Sequence, residues 1–218
     1  MKKRIVCFGD SNTWGLNAED LSRFSEEVRW PCLFQSWLGE DFQVVEEGLV
    51  GRTSVMDDPL FEGLNGLNYI VPCLKSHAPL ELVIIMLGTN DTKERFGLTA
   101  HNIAQGIVRL AQKAKSIENG RGGISHKVLI VAPTLIGPKY FDTNIKFSMG
   151  ENCDLKSKEL PGHLKHLLMD TDIEFLDASE SVSVNEIDYM HLDERGHRQM
   201  AEIILKKVKE VIHIEPTC

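Results

Sequence analysis

Four short stretches of this chain carry side chains that could together perform nucleophilic acyl transfer. They are Gly9-Asp10-Ser11, Gly51, Gly88-Thr89-Asn90-Asp91 and Asp188-Tyr189-Met190-His191. Ser11 offers a hydroxyl nucleophile, and an imidazole such as His191 can take its proton. Asp188, three residues before His191, is close enough to accept the Nδ1 proton and leave Nε2 facing the serine. The Asn90 amide can donate to a developing oxyanion without adding charge. Gly51 would let a substrate come close to its backbone N–H, and the Ser11 N–H is a further donor.

Each fragment taken alone has a plainer explanation. Asp10 or Ser11 could simply cap a helix, Asn90 and Gly51 could be ordinary turn residues, and His191 is one of eight histidines. Asp188 and His191 alone make two metal ligands, with no third in evidence, so no metal centre is expected. A flavodoxin-type phosphate loop after the first strand is disfavoured by Trp14 and by the lack of further small hydroxyl residues.

These residues must be positioned by strands, and the apolar runs supply them. Arg4–Phe8, Phe42–Glu46, Leu82–Leu87, Lys127–Ala132 and Glu174–Asp177 read as five strands. Val83 to Leu87 is unbroken, as in a parallel strand buried on both faces. Trp30–Leu38 places Trp30, Leu33, Phe34 and Trp37 on one helical face. Leu67–Ser76 reads as a helix that Pro72 would have to kink or shorten. Thr99–Ile117 carries Ile103, Ile107, Leu110, Ala111 and Ala114 on one stripe with Thr99 as cap, and a last helix over 194–211 has Asp193 as cap. Strand–helix alternation implies an α/β parallel sheet covered on both sides. The long irregular stretch 133–153, with Tyr140, Phe141, Phe147 and Met149, is expected to wall the site. A subunit contact and a fold-back onto its own domain are equally open for it.

With 218 residues the chain is expected to form a single domain, residues 1–218. A net charge of −8 argues against a nucleic-acid surface, and no apolar run approaches the roughly 18 residues of a membrane span. The apolar run after Met1-Lys2-Lys3-Arg4 ends within four residues, and cleavage downstream would remove Ser11, so no signal peptide is read. Five cysteines without metal spacing fit reduced thiols and a cytoplasmic location. Cys7, Cys32 and Cys73 are expected in the core, Cys153 and Cys218 at the surface.

The four stretches, in this order, resemble the four blocks of the SGNH hydrolases, the GDSL esterase/lipase family, over residues 4 to 212. Phe8-Gly9-Asp10-Ser11-Asn12-Thr13-Trp14-Gly15, Val28-Arg29-Trp30, Glu46-Glu47-Gly48-Leu49, Leu64-Asn65-Gly66 and Leu82–Lys93 look like its bacterial arylesterase/acyltransferase branch. The resemblance implies a flavodoxin-like three-layer α/β/α sandwich with a five-stranded parallel sheet. It also implies Ser11, His191 and Asp188 as catalytic triad, with Ser11 N–H, Gly51 N–H and Asn90 as oxyanion hole and no cofactor. Expected substrates are small short-chain carboxylic esters, with acyl transfer to alcohols in some members; carbohydrate O-deacetylation uses the same triad. Members of the branch form oligomers. Three departures stand out. Asn12 replaces the leucine of Gly-Asp-Ser-Leu, Leu16 stands where some acyltransferase relatives carry a tryptophan, and the 134–150 loop matches the branch poorly. Trp14 and Leu16 are expected to line a small acyl pocket.

Overall fold

A computed structural model describes residues 2–119 and 125–213. Five parallel strands form one sheet in the order β2-β1-β3-β4-β5: β1 (Lys3–Gly9), β2 (Phe42–Gly48), β3 (Leu82–Met86), β4 (Lys127–Ala132) and β5 (Glu174–Asp177). β1 and β2 extend one or two residues beyond their expected ends, while β3 stops one short.

The sheet is buried because its side chains alternate between two apolar layers. Val6, Phe8, Val83, Ile85, Val128 and Ile130 face one layer. There they meet α3 (Gly66–His77), α4 (Ala100–Lys115) and α6 (Cys153–Leu168). Ile5, Cys7, Ile84, Met86, Leu129 and Val131 face the opposite layer, formed by α2 (Trp30–Leu38) and α7 (Glu194–Val211). The expected helical faces are the ones in contact: Trp30 and Phe34 from α2 are buried, as is the whole stripe of α4. Thr99 closes a capping box with Asn102 on α4, and the Asp193 side chain accepts from the Gly196 N–H at the start of α7. α3 begins at Asn65, whose side chain accepts from the Leu67 N–H, and runs across the exposed Pro72 without ending there. Among the described residues no helix is long and apolar enough to cross a membrane.

Helix α6 has no counterpart among the sequence expectations. It buries Cys153, Ser157, Leu160, Pro161, Leu164 and Leu168 on one side. Cys153 is therefore core, not surface as expected, because it opens α6 beneath the preceding segment and its thiol reaches the Thr92 and Met149 carbonyls at 3.4 and 3.3 Å. Cys7 and Cys73 are buried as expected; Cys32 is partly exposed, and Cys218 lies outside the described residues.

The segment 133–152 folds into a short 3-10 turn over Pro138–Asp142 and a single helical turn, α5 (Lys146–Met149). Tyr140, Met149 and Ile136 join Cys153 and Met190 in a third small core, so much of the segment packs on its own chain. Phe147, 82% exposed, and Phe141 stay outside it.

Candidate active site

In an open parallel sheet, ligands bind beyond the carboxyl ends of strands where the strand order reverses. Here that point lies between β1 and β3, and Ser11 and Asn90 follow those two strands. β1 runs into a one-turn helix, α1 (Ser11–Trp14), capped by Asp10, whose side chain accepts from the Asn12 N–H. The turn is tight enough that a Cβ on Gly9 would sit 2.0 Å from Thr13 Oγ1 and 2.9 Å from the Met86 carbonyl, so only glycine fits.

Ser11 Oγ lies 2.9 Å from His191 Nε2, and His191 Nδ1 lies 2.6 Å from Asp188 Oδ2. The loop that carries the pair is held by its own polar groups. Asp188 Oδ1 accepts from the Met190 and His191 N–H groups at 3.0 Å each and from Asn185 Nδ2 at 2.9 Å. Asn185 also donates to the His191 carbonyl. Between them Tyr189 takes a left-handed φ of 58°, a strained conformation for a residue with a side chain. Its carbonyl accepts from the Gly137 N–H at 2.8 Å. Burial alone would raise the Asp188 carboxyl, but the His191 ring and the two backbone donors hold it well below the usual carboxylate range. It therefore remains an anion able to hold Nδ1–H and stabilise an imidazolium.

Three donors with no partner among the described residues belong to residues that line the cavity: the Ser11 and Gly51 N–H groups and the Asn90 amide. Ser11 and Gly51 donate no backbone N–H to any described residue, as expected for the first residue of a helix and for a turn glycine. Gly51 sits at φ 83°, where only glycine is unstrained. Asn90 Nδ2 is buried and has no hydrogen-bond partner. Such an orphan costs free energy unless something is bound to it. Ser11, Gly51, Asn90, Asp188 and His191 line one cavity of about 780 Å3. Trp14 and Leu16 are part of its wall, with Leu60, Phe61, Ile145 and Met149 closing other sides. Every site residue named from the sequence thus comes together at the same opening.

Several residues to which the sequence assigns no part in the chemistry hold these parts in register. Asn12 donates from Nδ2 to the Met190 carbonyl at 3.3 Å and accepts the Leu192 N–H at 2.9 Å, so α1 and the His191 loop are tied by one side chain. Arg52 follows Gly51 and is buried; it donates to the Gly9 carbonyl at 3.0 Å and to the Glu47 carbonyl, and its guanidinium lies 4.1 Å from the Phe8 ring centre. Asp91 accepts from the Ser54 N–H and hydroxyl, linking the Asn90 turn to the Gly51 loop. Asp10 is wholly buried, and burial pushes its carboxyl up to about 6 against the pull of the Asn12 N–H and of His191. The sequence signals for this set are faint: Asn185-x-x-Asp188 is an Asx pattern, and Asn12 is conspicuous only as a departure from Gly-Asp-Ser-Leu.

Among the described residues one group brings three metal-ligating atoms within 4.8 Å of one another: Glu47, Cys73 and His77. His77 Nε2 is hydrogen-bonded to Glu47 Oε1 at 2.8 Å, and burial, followed by the Glu47 charge, pushes the Cys73 thiol up to about 12. A thiol so held is a poor ligand, and none of the three lines the Ser11 cavity.

Residues 7–199 match the model of the GDSL-like lipase/acylhydrolase family. Among solved structures, an aryl esterase of M. smegmatis is 38% identical, with 95% of this chain and 99% of that one covered at a TM-score of 0.87. A carbohydrate acetylesterase from Sinorhizobium meliloti is 37% identical over 96% of this chain and 100% of its own, also at 0.87. A carbohydrate acetylesterase family member from the same organism is 31% identical, covering 97% and 100% at a TM-score of 0.90. No curated protein sequence matches the chain.

Proposed function

The chain belongs to the GDSL-like lipase/acylhydrolase family, and from that premise we propose that it is a serine esterase. It hydrolyses short-chain carboxylic esters, aryl or alkyl acetates to butyrates, through an acyl-enzyme on Ser11. The observation that carries this is the hydrogen-bonded run Ser11–His191–Asp188 beside the unpartnered Asn90 amide in one cavity.

Ser11 Oγ attacks the ester carbonyl carbon while its proton passes to His191 Nε2, and Asp188 stabilises the resulting imidazolium. The carbonyl oxygen becomes an oxyanion held by the Ser11 and Gly51 N–H groups and by Asn90 Nδ2. Collapse of the tetrahedral adduct breaks the bond to the alcohol oxygen, which leaves with the proton from His191. Water then repeats the sequence on the acyl-enzyme, giving its proton to His191 and releasing the acid and free Ser11. An alcohol in place of that water would yield acyl transfer. The largely apolar wall of Trp14, Leu16, Phe61 and Met149 supports this branch by favouring an organic acceptor.

A second reading is carbohydrate O-deacetylation, favoured by the Sinorhizobium meliloti acetylesterase at 37% identity. A panel of p-nitrophenyl esters from acetate to octanoate plus acetylated sugars, run on wild type and Ser11→Ala, tests both. Turnover of aryl acetate that Ser11→Ala abolishes supports the esterase; acetate release from sugars at far higher kcat/KM supports the deacetylase. Undiminished turnover in Ser11→Ala rules out both.

A further inference from the structure

One charged side chain of the cavity takes no part in the chemistry above. Lys93 follows the Asn90 turn, lines the same cavity as Ser11, and its side chain is only 6% exposed. Its Nζ makes no hydrogen bond with any described residue; the nearest carboxylate oxygen, Asp58 Oδ2, is 3.9 Å away. Asp58 is already engaged. Its two oxygens accept from Arg95 Nε and Nη2 at 3.2 and 2.6 Å, and Oδ1 also accepts from the Leu60 N–H.

The other charges nearby leave those donors equally unspent. Asp91 is turned onto Ser54, Asp188 onto His191, and Glu62 stands at the exposed rim. Burial, with Arg95 adding to it, disfavours the Lys93 ammonium, while Asp58, Asp91 and Asp10 support it at longer range. The Lys93 side chain is largely shielded by the wall while its Nζ, open to the cavity, has no hydrogen-bond acceptor among the described residues, so an acceptor on a bound molecule would stabilise it. A neutral hydroxyl would take one donor and add nothing to the distant, Arg95-shared charge of Asp58. A carboxylate does both, with charge-assisted hydrogen bonds.

We propose that Lys93 is a recognition residue for a carboxylate borne by the ester substrate, so that the preferred substrates of this enzyme are acidic esters. The proposal rests on the esterase reading above. The apolar wall would then enclose the carbon skeleton, with Ser11 and Lys93 engaging two different oxygen groups of one molecule.

The test uses matched pairs, meta- and para-acetoxybenzoate against the corresponding neutral acetoxybenzamides, on wild type, Lys93→Met, Lys93→Gln and Lys93→Arg. The readout is the kcat/KM ratio of acid to amide. Wild type should favour the acid for at least one isomer. The ratio should fall about tenfold or more in both neutral variants and be largely retained in Lys93→Arg. An acid-to-amide ratio near or below one in wild type, or one indifferent to residue 93, overturns the proposal. Calorimetric binding of para-hydroxybenzoate against para-hydroxybenzamide separates this from the esterase reading. Lys93-dependent binding of the acid without ester turnover would keep the carboxylate site and discard the reaction; turnover without that binding would do the reverse.

Discussion

Asp10 lies next to Ser11, the proposed nucleophile, with Oδ1 bonded to the Asn12 N–H and Oδ2 buried without a partner. Its carboxyl titrates near 3.8 in the unfolded chain and about 6 in the fold. Below the lower value both states are protonated and the group contributes nothing. As pH rises through this window the unfolded chain gives up its proton first, and above it the native state bears the full cost of a buried anion, roughly 2–3 kcal/mol. Asp10→Asn keeps an oxygen for the cap, so it should be more stable than wild type at about pH 8, with the gain vanishing at about pH 4. Urea titrations at both pH values check this. The same substitution should lower kcat, roughly tenfold, because the transition state places a proton on His191 and Asp10 is one of the charges that favours it. Asn90→Ala should reduce kcat by roughly 10²–10³ with a smaller change in KM; a rise in KM alone would make Asn90 a ground-state contact. That Ser11, Asn90, Asp188 and His191 would meet could be anticipated from the sequence, because their types and order form a set while each follows or precedes a regular element. Asp10 and Lys93 could not, since what distinguishes them is burial and idle hydrogen-bonding capacity, which appear only once the chain is folded.

At the scale of elements, one side chain joins two of them: Asn12 spans from α1 to the loop carrying Asp188 and His191. Asn12→Leu, which restores the residue of the common family motif, would strand the Met190 carbonyl and the Leu192 N–H. It should cost roughly 2–3 kcal/mol of stability and lower kcat by loosening the Ser11–His191 contact. Thr99→Ala is the control: losing the α4 cap should cost about 1 kcal/mol and leave kcat alone. Equal effects of the two on kcat, relative to their losses in stability, would deny Asn12 a positioning role. β1, β3 and β4 were legible from unbroken apolar runs and α2 and α4 from clean helical stripes, whereas β2, β5, α3 and α7 were placed by shorter apolar stretches, by a cap and by the strand–helix alternation. Helix α6 was not, because its buried face includes Ser157, Cys153 and Pro161, and Pro161-Gly162 looks like a break. The sequence also gives no hint that Tyr140 and Met149 fold inward while Phe147 stays out, since all three are apolar residues of one irregular stretch.

For the molecule as a whole, the strand order and the reversal between β1 and β3 bring Ser11 and His191, 180 positions apart, to one opening. The cavity of about 780 Å3 is large enough for a small ester with both its acyl and alcohol parts. With Trp14 and Leu16 in the wall, kcat/KM should peak between acetyl and butyryl esters and fall beyond, by about 1–3 kcal/mol in discrimination for a methylene that does not fit. A steady rise from acetate to octanoate would mean that Leu16 opens the pocket to longer chains. Phe147 and Phe141 stay exposed, so if the segment also makes the subunit contact that the sequence left open, it would lie there, and sedimentation of wild type and Phe147→Ser tests it. An oligomer that the substitution dissociates is the expected outcome, and a monomeric wild type would oppose it. If Ser11 is the nucleophile and His191 activates it, a phosphonate should find that hydroxyl. Titrating the protein with a p-nitrophenyl phosphonate and mapping the adduct by mass spectrometry should give one label per chain, on Ser11, with esterase activity lost in proportion, and no label in a folded Ser11→Ala or His191→Ala protein. A stoichiometric label on any other residue, or full activity retained after Ser11 is labelled, would rule out Ser11 as the nucleophile.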